Sequence, residues 1–135
     1  MQQIKTTLLF VGQHAGNAKS AVESYIELFP RSEILDIELY GADDNEPEGA
    51  VKLLKFALKD VEFLAMDSYL HHKFGFTPAM SIYVDCESQQ EIEKAYSTLA
   101  EGGKVLMPLG SYGFSQTFAW LNDRFGVSWQ LNLAN

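Results

Sequence analysis

The sequence predicts an α+β fold made of two βαβββ modules, whose curved mixed β-sheets surround a cleft. Three observations predict it. The length of 135 residues suits one domain, the hydrophobic spacing switches repeatedly between the periods of strands and helices, and the same order of elements occurs twice. Each module alone is small for a stable core, so the two are expected to pair. We therefore predict a single domain over 1–135, with module one at 1–67, a connector at 68–78 and module two at 79–135.

The first module is predicted to contain one helix and four strands. Asn17 can cap a helix whose apolar stripe ends before Pro30. The acidic segment 43–49 is interpreted as a hairpin connection rather than a calcium loop, because it lacks the alternating oxygen ligands and the terminal Glu of an EF-hand. The predicted strands are residues 4–11, 33–40, 51–58 and 61–67.

The second module repeats these signals. Residues 88–91 have the spacing of a capping box, and Gly102-Gly103 is typical of a helix end. Tyr25 of the first helix and Tyr96 of the second are expected at equivalent places, with Tyr96 on the buried stripe of its helix. The predicted strands are residues 79–86, 104–109, 117–122 and 127–133.

The charge balance argues against two classes of partner. Ten Lys and Arg residues stand against eighteen Asp and Glu residues, which gives a net charge of -8. Such a chain repels phosphate backbones and anionic lipids, so we expect neither nucleic acid nor a membrane as a partner. A single cysteine, Cys86, excludes an internal disulfide and a cysteine-based zinc site. Together with an amino terminus that lacks the layout of a signal peptide, it favours a cytoplasmic protein.

Several common catalytic motifs are absent from the sequence. It contains no Gly-rich phosphate loop of the Walker or Rossmann kind, no His-Glu-x-x-His and no Gly-x-Ser-x-Gly. Nothing in it is similar to a cofactor-binding motif of methyltransferases, and we expect no cofactor.

Two stretches of the second half carry a family resemblance. Residues 100–107 contain Glu-Gly-Gly at the predicted helix end, and residues 120–131 follow the pattern W-x-x-D-x-F-G-V-x-W-Q. In the first half, residues 25–30 (YIELFP) and Met66-Asp67 fit the same family. The chain thus resembles the PhnB-like branch of the vicinal oxygen chelate superfamily, which has the glyoxalase/bleomycin-resistance/dioxygenase fold. The resemblance covers nearly the whole chain and implies a homodimer.

Metal-dependent members of that superfamily supply ligands from the first and last strands of each module. The resemblance places Thr6, Ala65, Ala79 and Gln130 at these four positions. One hydroxyl and one amide are weak donors for a first-row metal ion, so we expect no metal at this set.

The predicted ligand-binding cleft centres on Gln130, whose amide can donate and accept hydrogen bonds at once. A buried Gln130 satisfied by neighbouring backbone is the alternative. Strand alternation places Ser128 on the same face as Gln130 and turns Trp129 into the core. Asp67 has two open roles, a pocket residue or a strand-end residue bound to a backbone amide. The other expected cleft residues are Thr6, Ser81, Tyr83, Phe118 and Trp120.

Two classes of function stay open. The first is a metal-free homodimer that binds a small amphipathic molecule, as the missing metal donors and the aromatic content of 13% favour. The second is a metal-dependent isomerase, lyase or dioxygenase with an atypical ion site around Asp67, His71 or His72. Adjacent histidines on an extended segment point to opposite sides, which disfavours a shared ion.

Overall fold

The computed structural model describes residues 2–135, which form two compact units, one up to Gly75 and one over Phe76–Asn135. Each unit contains one α-helix packed on a four-stranded sheet. Most of the segment predicted as a connector, residues 68–75, therefore belongs to the first unit. Below, "first module" and "second module" denote these two units.

The first module has the order β-α-β-β-β, with a 3-10 turn at Gly12–His14 between its first strand and its helix. In its sheet, β1 runs parallel to β4, while β3 runs antiparallel to both β4 and β2. The elements are β1 (Thr6–Phe10), α1 (Ala18–Ile26), β2 (Glu33–Leu39), β3 (Val51–Leu58) and β4 (Val61–Asp67).

The second module repeats that topology. Its strand order, β5-β8-β7-β6, corresponds to β1-β4-β3-β2 of the first sheet, again with one parallel pair at one edge. The elements are β5 (Ile82–Asp85), α2 (Gln89–Ala100), β6 (Lys104–Gly110), β7 (Thr117–Asn122) and β8 (Ser128–Leu133). The predicted fold class, two βαβββ modules with mixed open sheets, is therefore confirmed.

One strand is much shorter than the sequence predicts. β5 begins at Ile82 rather than at Ala79. Residues 78–80 form a turn, in which the Met80 amide donates to the Thr77 carbonyl at 3.3 Å. Pro78 has no amide hydrogen to add to a sheet ladder, which favours a turn at this place.

The two helices bury their tyrosine side chains to different extents. Tyr25 of α1 is only 1% exposed. On α2, Ile92, Ala95 and Leu99 are buried as predicted, but Tyr96 is half-buried. The buried stripe of α2 is therefore narrower than the sequence suggested. Among residues 2–135, neither helix has the length and apolar content needed to cross a bilayer.

The start of α1 is held by a residue that lies far away in the sequence. The predicted cap, Asn17, makes no side-chain capping hydrogen bond. Instead Asp67, at the end of β4, accepts hydrogen bonds from the amides of Gly16 (2.9 Å) and Ala18 (3.1 Å). Its second oxygen accepts the Val51 amide of β3 at 2.9 Å. One buried carboxylate thus joins the helix start to two strands, and it satisfies amides that the helix itself leaves unpaired.

The start of α2 is capped by residues close to it in the sequence, as predicted. Ser88 Oγ accepts the Glu91 amide at 3.1 Å, and Glu91 Oε1 accepts the Glu87 amide at 3.3 Å. At the other end, a Cβ on Gly103 would stand 2.1 Å from the Asn122 carbonyl oxygen. The double glycine therefore allows the chain between α2 and β6 to lie close to the backbone at the end of β7.

A second buried carboxylate organises the β7–β8 turn. Asp123 Oδ1 accepts the amides of Phe125 (2.9 Å) and Val127 (3.0 Å). Its Oδ2 accepts the indole N–H of Trp129 at 3.0 Å. These contacts tie Phe125, Val127 and Trp129 of the stretch 120–131 to one carboxylate.

Replacing Asp67 is expected to weaken the fold much more than replacing the local cap residue. Asp67→Asn turns an amide group toward backbone donors, and we expect the free energy of unfolding to fall by about 1.5–3 kcal/mol, the range for hydrogen bonds to a charged group. Asn17→Ala removes no capping bond and should cost less than about 0.5 kcal/mol. Urea unfolding followed by circular dichroism measures both variants. Equal losses would contradict the role assigned to Asp67.

Candidate functional site

Helix α2 packs against one face of the sheet of the second module. Trp129 and Leu131 of β8 are fully buried, as are Ile92 and Ala95 of α2, which packs on β8. Residues that alternate with them point to the other side of the sheet. We call this other side the helix-free face. Strand register assigns to it Tyr83, Asp85, Lys104, Met107, Phe118, Trp120, Asn122, Ser128, Gln130 and Asn132.

Gln130 lies at the centre of the helix-free face. It pairs with Tyr83 of β5 on one side and with Trp120 of β7 on the other. Directly paired residues share a face and approach each other closely, so the Gln130 amide stands between two aromatic side chains. It is half-buried, and its side-chain amide makes no hydrogen bond to any residue from 2 to 135. Its donor and its acceptor are both available to a ligand.

Ser128 connects two neighbours of Gln130. Its side chain is buried, at 2% exposure, and its Oγ lies 2.7 Å from Ser81 Oγ. The indole N–H of Trp120 donates to the same Oγ at 3.0 Å. The structure thus brings together Ser81, Ser128 and Trp120, all of which the sequence analysis had assigned to the cleft.

Phe118 is the centre of an aromatic cluster on the same face. Its ring centroid lies 5.0 Å from that of Phe114, 6.2 Å from that of Tyr112 and 6.4 Å from that of Tyr83. Phe114 and Tyr83 remain 63% and 54% exposed. Large exposed aromatic side chains that touch one another are typical of a binding surface.

Sequence reasoning missed Tyr112 and Phe114. Both lie in the loop between β6 and β7, where strand alternation gives no information about direction. The available signal was local composition: two aromatic residues flank Gly113, whose φ is +90°, in an otherwise polar loop. Aromatic residues in a loop between two strands have no assigned place in a core, which makes them candidates for contact with a ligand.

Asp85 supplies the negative charge at one border of the helix-free face. Its Oδ1 accepts the amide N–H of Asn132 at 3.0 Å. Burial raises the pKa of the Tyr83 phenol above its ordinary value of 10.0, and the nearby Asp85 carboxylate raises it further. Both causes disfavour the phenolate, so Tyr83 is a neutral hydrogen-bond donor and acceptor below that pKa.

Three residues that the sequence analysis singled out in the first module, Thr6, Ala65 and Asp67, lie on the face of the first sheet that α1 covers. Along β1, Thr6 alternates with Thr7 and shares its side with Leu8 and Phe10, which are buried under α1. Ala65, at 0% exposure, lies on that covered side.

Asp67 is also on the covered side, since it pairs with Phe10, and both of its oxygens accept backbone amides. Of its two open roles, the structure shows the hydrogen-bonded one.

The alignment of Thr6 and Ala65 with cleft-facing ligand positions is thus one residue out of register. The helix-free side of the first sheet carries Thr7, Leu9, Leu64 and Met66 instead. Because side chains alternate along a strand, an error of one residue exchanges the two faces. The alignment of Ala79 fails for another reason, since it lies in the turn before β5.

The histidines of the connector lie beside a surface pocket of about 390 Å³ at the ends of β1 and β4. His71 is exposed, while His72 is half-buried, with its Nε2 2.9 Å from Ser68 Oγ. Within residues 2–135, no group of three or more His, Cys, Asp or Glu side chains is placed to hold a metal ion. The pocket is lined by Gly12, Ala15, Tyr69, Leu70, His71 and His72.

The raised pKa of Tyr83 leads to a direct test. Asp85→Asn removes one of its two causes, so the Tyr83 pKa should fall toward 10.0. The folded state holds this proton more tightly than the unfolded chain, so the related stability is present below pH 10 and is lost as the pH rises through the raised pKa. An NMR titration of tyrosine labelled at Cζ measures the shift, with Tyr83→Phe to assign the signal. Asp43→Asn, which makes the same charge change in the first module, should leave it unmoved.

Comparison with known proteins identifies the family. A family model described as 3-demethylubiquinone-9 3-methyltransferase matches residues 2–132. No curated protein matches the chain.

Solved structures show the same relationship. A PhnB protein from Bacillus cereus is 49% identical, with a TM-score of 0.92 over 98% of this chain and 100% of its own. A protein from Pseudomonas aeruginosa is 27% identical, with a TM-score of 0.82 over 99% of this chain and 98% of its own. The fosfomycin resistance protein FosX of Listeria monocytogenes, 12% identical, shares the fold with a TM-score of 0.61 over 100% of this chain and 94% of its own. The chain therefore belongs to the family described as 3-demethylubiquinone-9 3-methyltransferase, the PhnB-like branch of the vicinal oxygen chelate superfamily.

Proposed function

We propose that this protein is a homodimer that binds a small, uncharged amphipathic molecule on the helix-free face of the second module, without a metal ion. The observation that carries the proposal is the Gln130 amide, which has no hydrogen-bond partner within residues 2–135 and stands between Tyr83 and Trp120. An amide between aromatic side chains can pair with a polar group while the rings cover the apolar part of a ligand.

The distribution of charge supports an uncharged ligand. The charged residues of the helix-free face, Asp85 and Lys104, occupy its two borders, opposite Asn132 and Asn122 respectively. Its centre, around Gln130, has no ionised group at neutral pH. A ligand with a net charge would lose water there without gaining an opposite charge.

The methyltransferase activity in the family description is not part of this proposal. That reaction needs a bound methyl donor, and the sequence has no motif similar to the cofactor-binding motifs of methyltransferases. An unpaired amide beside exposed rings is sufficient for binding and supplies no group for methyl transfer.

The metal-dependent alternative has less support from the geometry. An ion at Asp67 would compete with the amides of Gly16, Ala18 and Val51, which already bond to both carboxylate oxygens. Burying unpaired amides is costly, so this exchange would destabilise the start of α1. His72 is engaged by Ser68, which leaves His71 as an isolated donor of the proposed set.

A pair of ligands tests the role of Gln130. We expect 1-naphthamide, which is neutral and carries an amide, to bind better than 1-methylnaphthalene, which offers only the ring. Gln130→Leu should weaken binding of the amide by about tenfold, equivalent to the net value of one or two hydrogen bonds. It should leave binding of 1-methylnaphthalene nearly unchanged. Ligand-observed NMR titration gives both affinities.

Two controls accompany this experiment. Gln90→Leu makes the same substitution at an exposed position of α2 and should not affect either ligand. Protein treated with EDTA should bind 1-naphthamide as well as untreated protein. Loss of binding after EDTA treatment would refute the metal-free proposal, and equal affinities in wild type and Gln130→Leu would refute the role of the amide.

The homodimer is supported by uncovered edges and apolar side chains. β2 is an edge strand of its sheet, and Leu35 and Leu39 on it are 42% and 45% exposed. A second copy can cover such an edge. Light scattering should therefore report about 30 kDa, twice the chain mass of 15.1 kDa. A particle of 15.1 kDa at all concentrations would show a monomer.

A further inference from the structure

We propose that Ser128 is a positioning residue, which fixes the indole ring of Trp120 and so shapes the wall beside Gln130. This inference rests on the proposed function, because it assigns Trp120 to the wall of the ligand site. Ser128 itself is buried, at 2% exposure, and is therefore not placed to touch a ligand.

The chemistry of the three side chains fixes the direction of one hydrogen bond. An indole N–H can only donate, so Ser128 Oγ accepts from Trp120 Nε1 at 3.0 Å. A serine hydroxyl has one hydrogen and two lone pairs, which leaves it able to bond Ser81 Oγ at 2.7 Å at the same time. Ser128 is thus held on one side by Ser81 and holds Trp120 on the other.

Trp120 needs such a support because it is half-buried on the sheet. Its nearest cross-strand neighbours are Met107 and Gln130, and neither makes a hydrogen bond to its indole. Its indole N–H has Ser128 as its hydrogen-bond acceptor in residues 2–135. Without this acceptor the ring gains rotamer freedom, and a ligand must then order it on binding, which costs affinity.

The two tryptophans give separate signals for this test. The chain contains two Trp residues, and the indole of Trp129 donates to Asp123 on the covered side of the sheet. In a ¹⁵N–¹H NMR spectrum, Trp129 therefore serves as an internal reference. Trp120→Phe assigns the two signals.

The experiment compares three variants. Ser128→Ala should shift the Trp120 indole signal and speed its exchange with water, while the Trp129 signal stays in place. Ser128→Thr keeps the hydroxyl and should retain the wild-type Trp120 signal. Thr117→Val removes a hydroxyl from the covered side of β7, where it donates to Gln89 at 3.1 Å, and should not move the Trp120 signal. Thermal melting curves of the three variants show whether any of them has lost stability.

The affinity for 1-naphthamide completes the test. It should fall about three- to tenfold in Ser128→Ala, the value of one ordinary hydrogen bond, and should be retained in Ser128→Thr. An unmoved Trp120 signal in Ser128→Ala would overturn the positioning of the ring by Ser128. A moved signal with unchanged affinity would overturn its importance for the ligand site. If wild-type protein binds no 1-naphthamide, the proposed function fails, and a moved signal still supports the positioning of Trp120.

Discussion

The carboxylate of Asp67 is the interaction on which the first module depends. It is 2% exposed and accepts the amides of Gly16, Ala18 and Val51. A buried charge is tolerated only when it is fully hydrogen-bonded, and here the partners come from three separate segments. The end of β4, the start of α1 and the start of β3 therefore have to be in place together. Gly16 adds a steric condition, since a Cβ there would lie 2.1 Å from the Tyr69 hydroxyl.

The second module has the same topology and a different internal support. Its buried carboxylate, Asp123, holds the β7–β8 turn and the Trp129 indole, whereas its helix starts at the local cap Ser88. The turn fixes where β8 begins, and β8 carries Ser128 and Gln130 on its helix-free side. A rigid turn at the strand start is a suitable support for a ligand site, because the site then needs little ordering on binding.

Prediction from sequence assigned the two faces of β8 correctly and those of β1 wrongly, and strand alternation explains both results. The pattern in residues 120–131 aligned β8 correctly, so Gln130 and Ser128 were assigned to one side and Trp129 to the core. In β1 and β4 no comparable pattern marks the register. Thr6 was therefore assigned to the wrong side, since a shift of one residue reverses the face of every side chain, and Asp67 was left with two open roles.

The sequence by itself determined the two βαβββ modules, most strand bounds and the local cap of α2, because these follow from spacing and from contacts between near neighbours. Only the tertiary structure decided that Asp67 rather than Asn17 holds the start of α1. Asp67 and the amides that it accepts lie about fifty residues apart along the chain. The tertiary structure also decided that the rings of Tyr112 and Phe114 pack against the ring of Phe118. Loop residues have no period, so their direction depends on the strands that the loop connects, and pairing between strands is set by the folded chain as a whole.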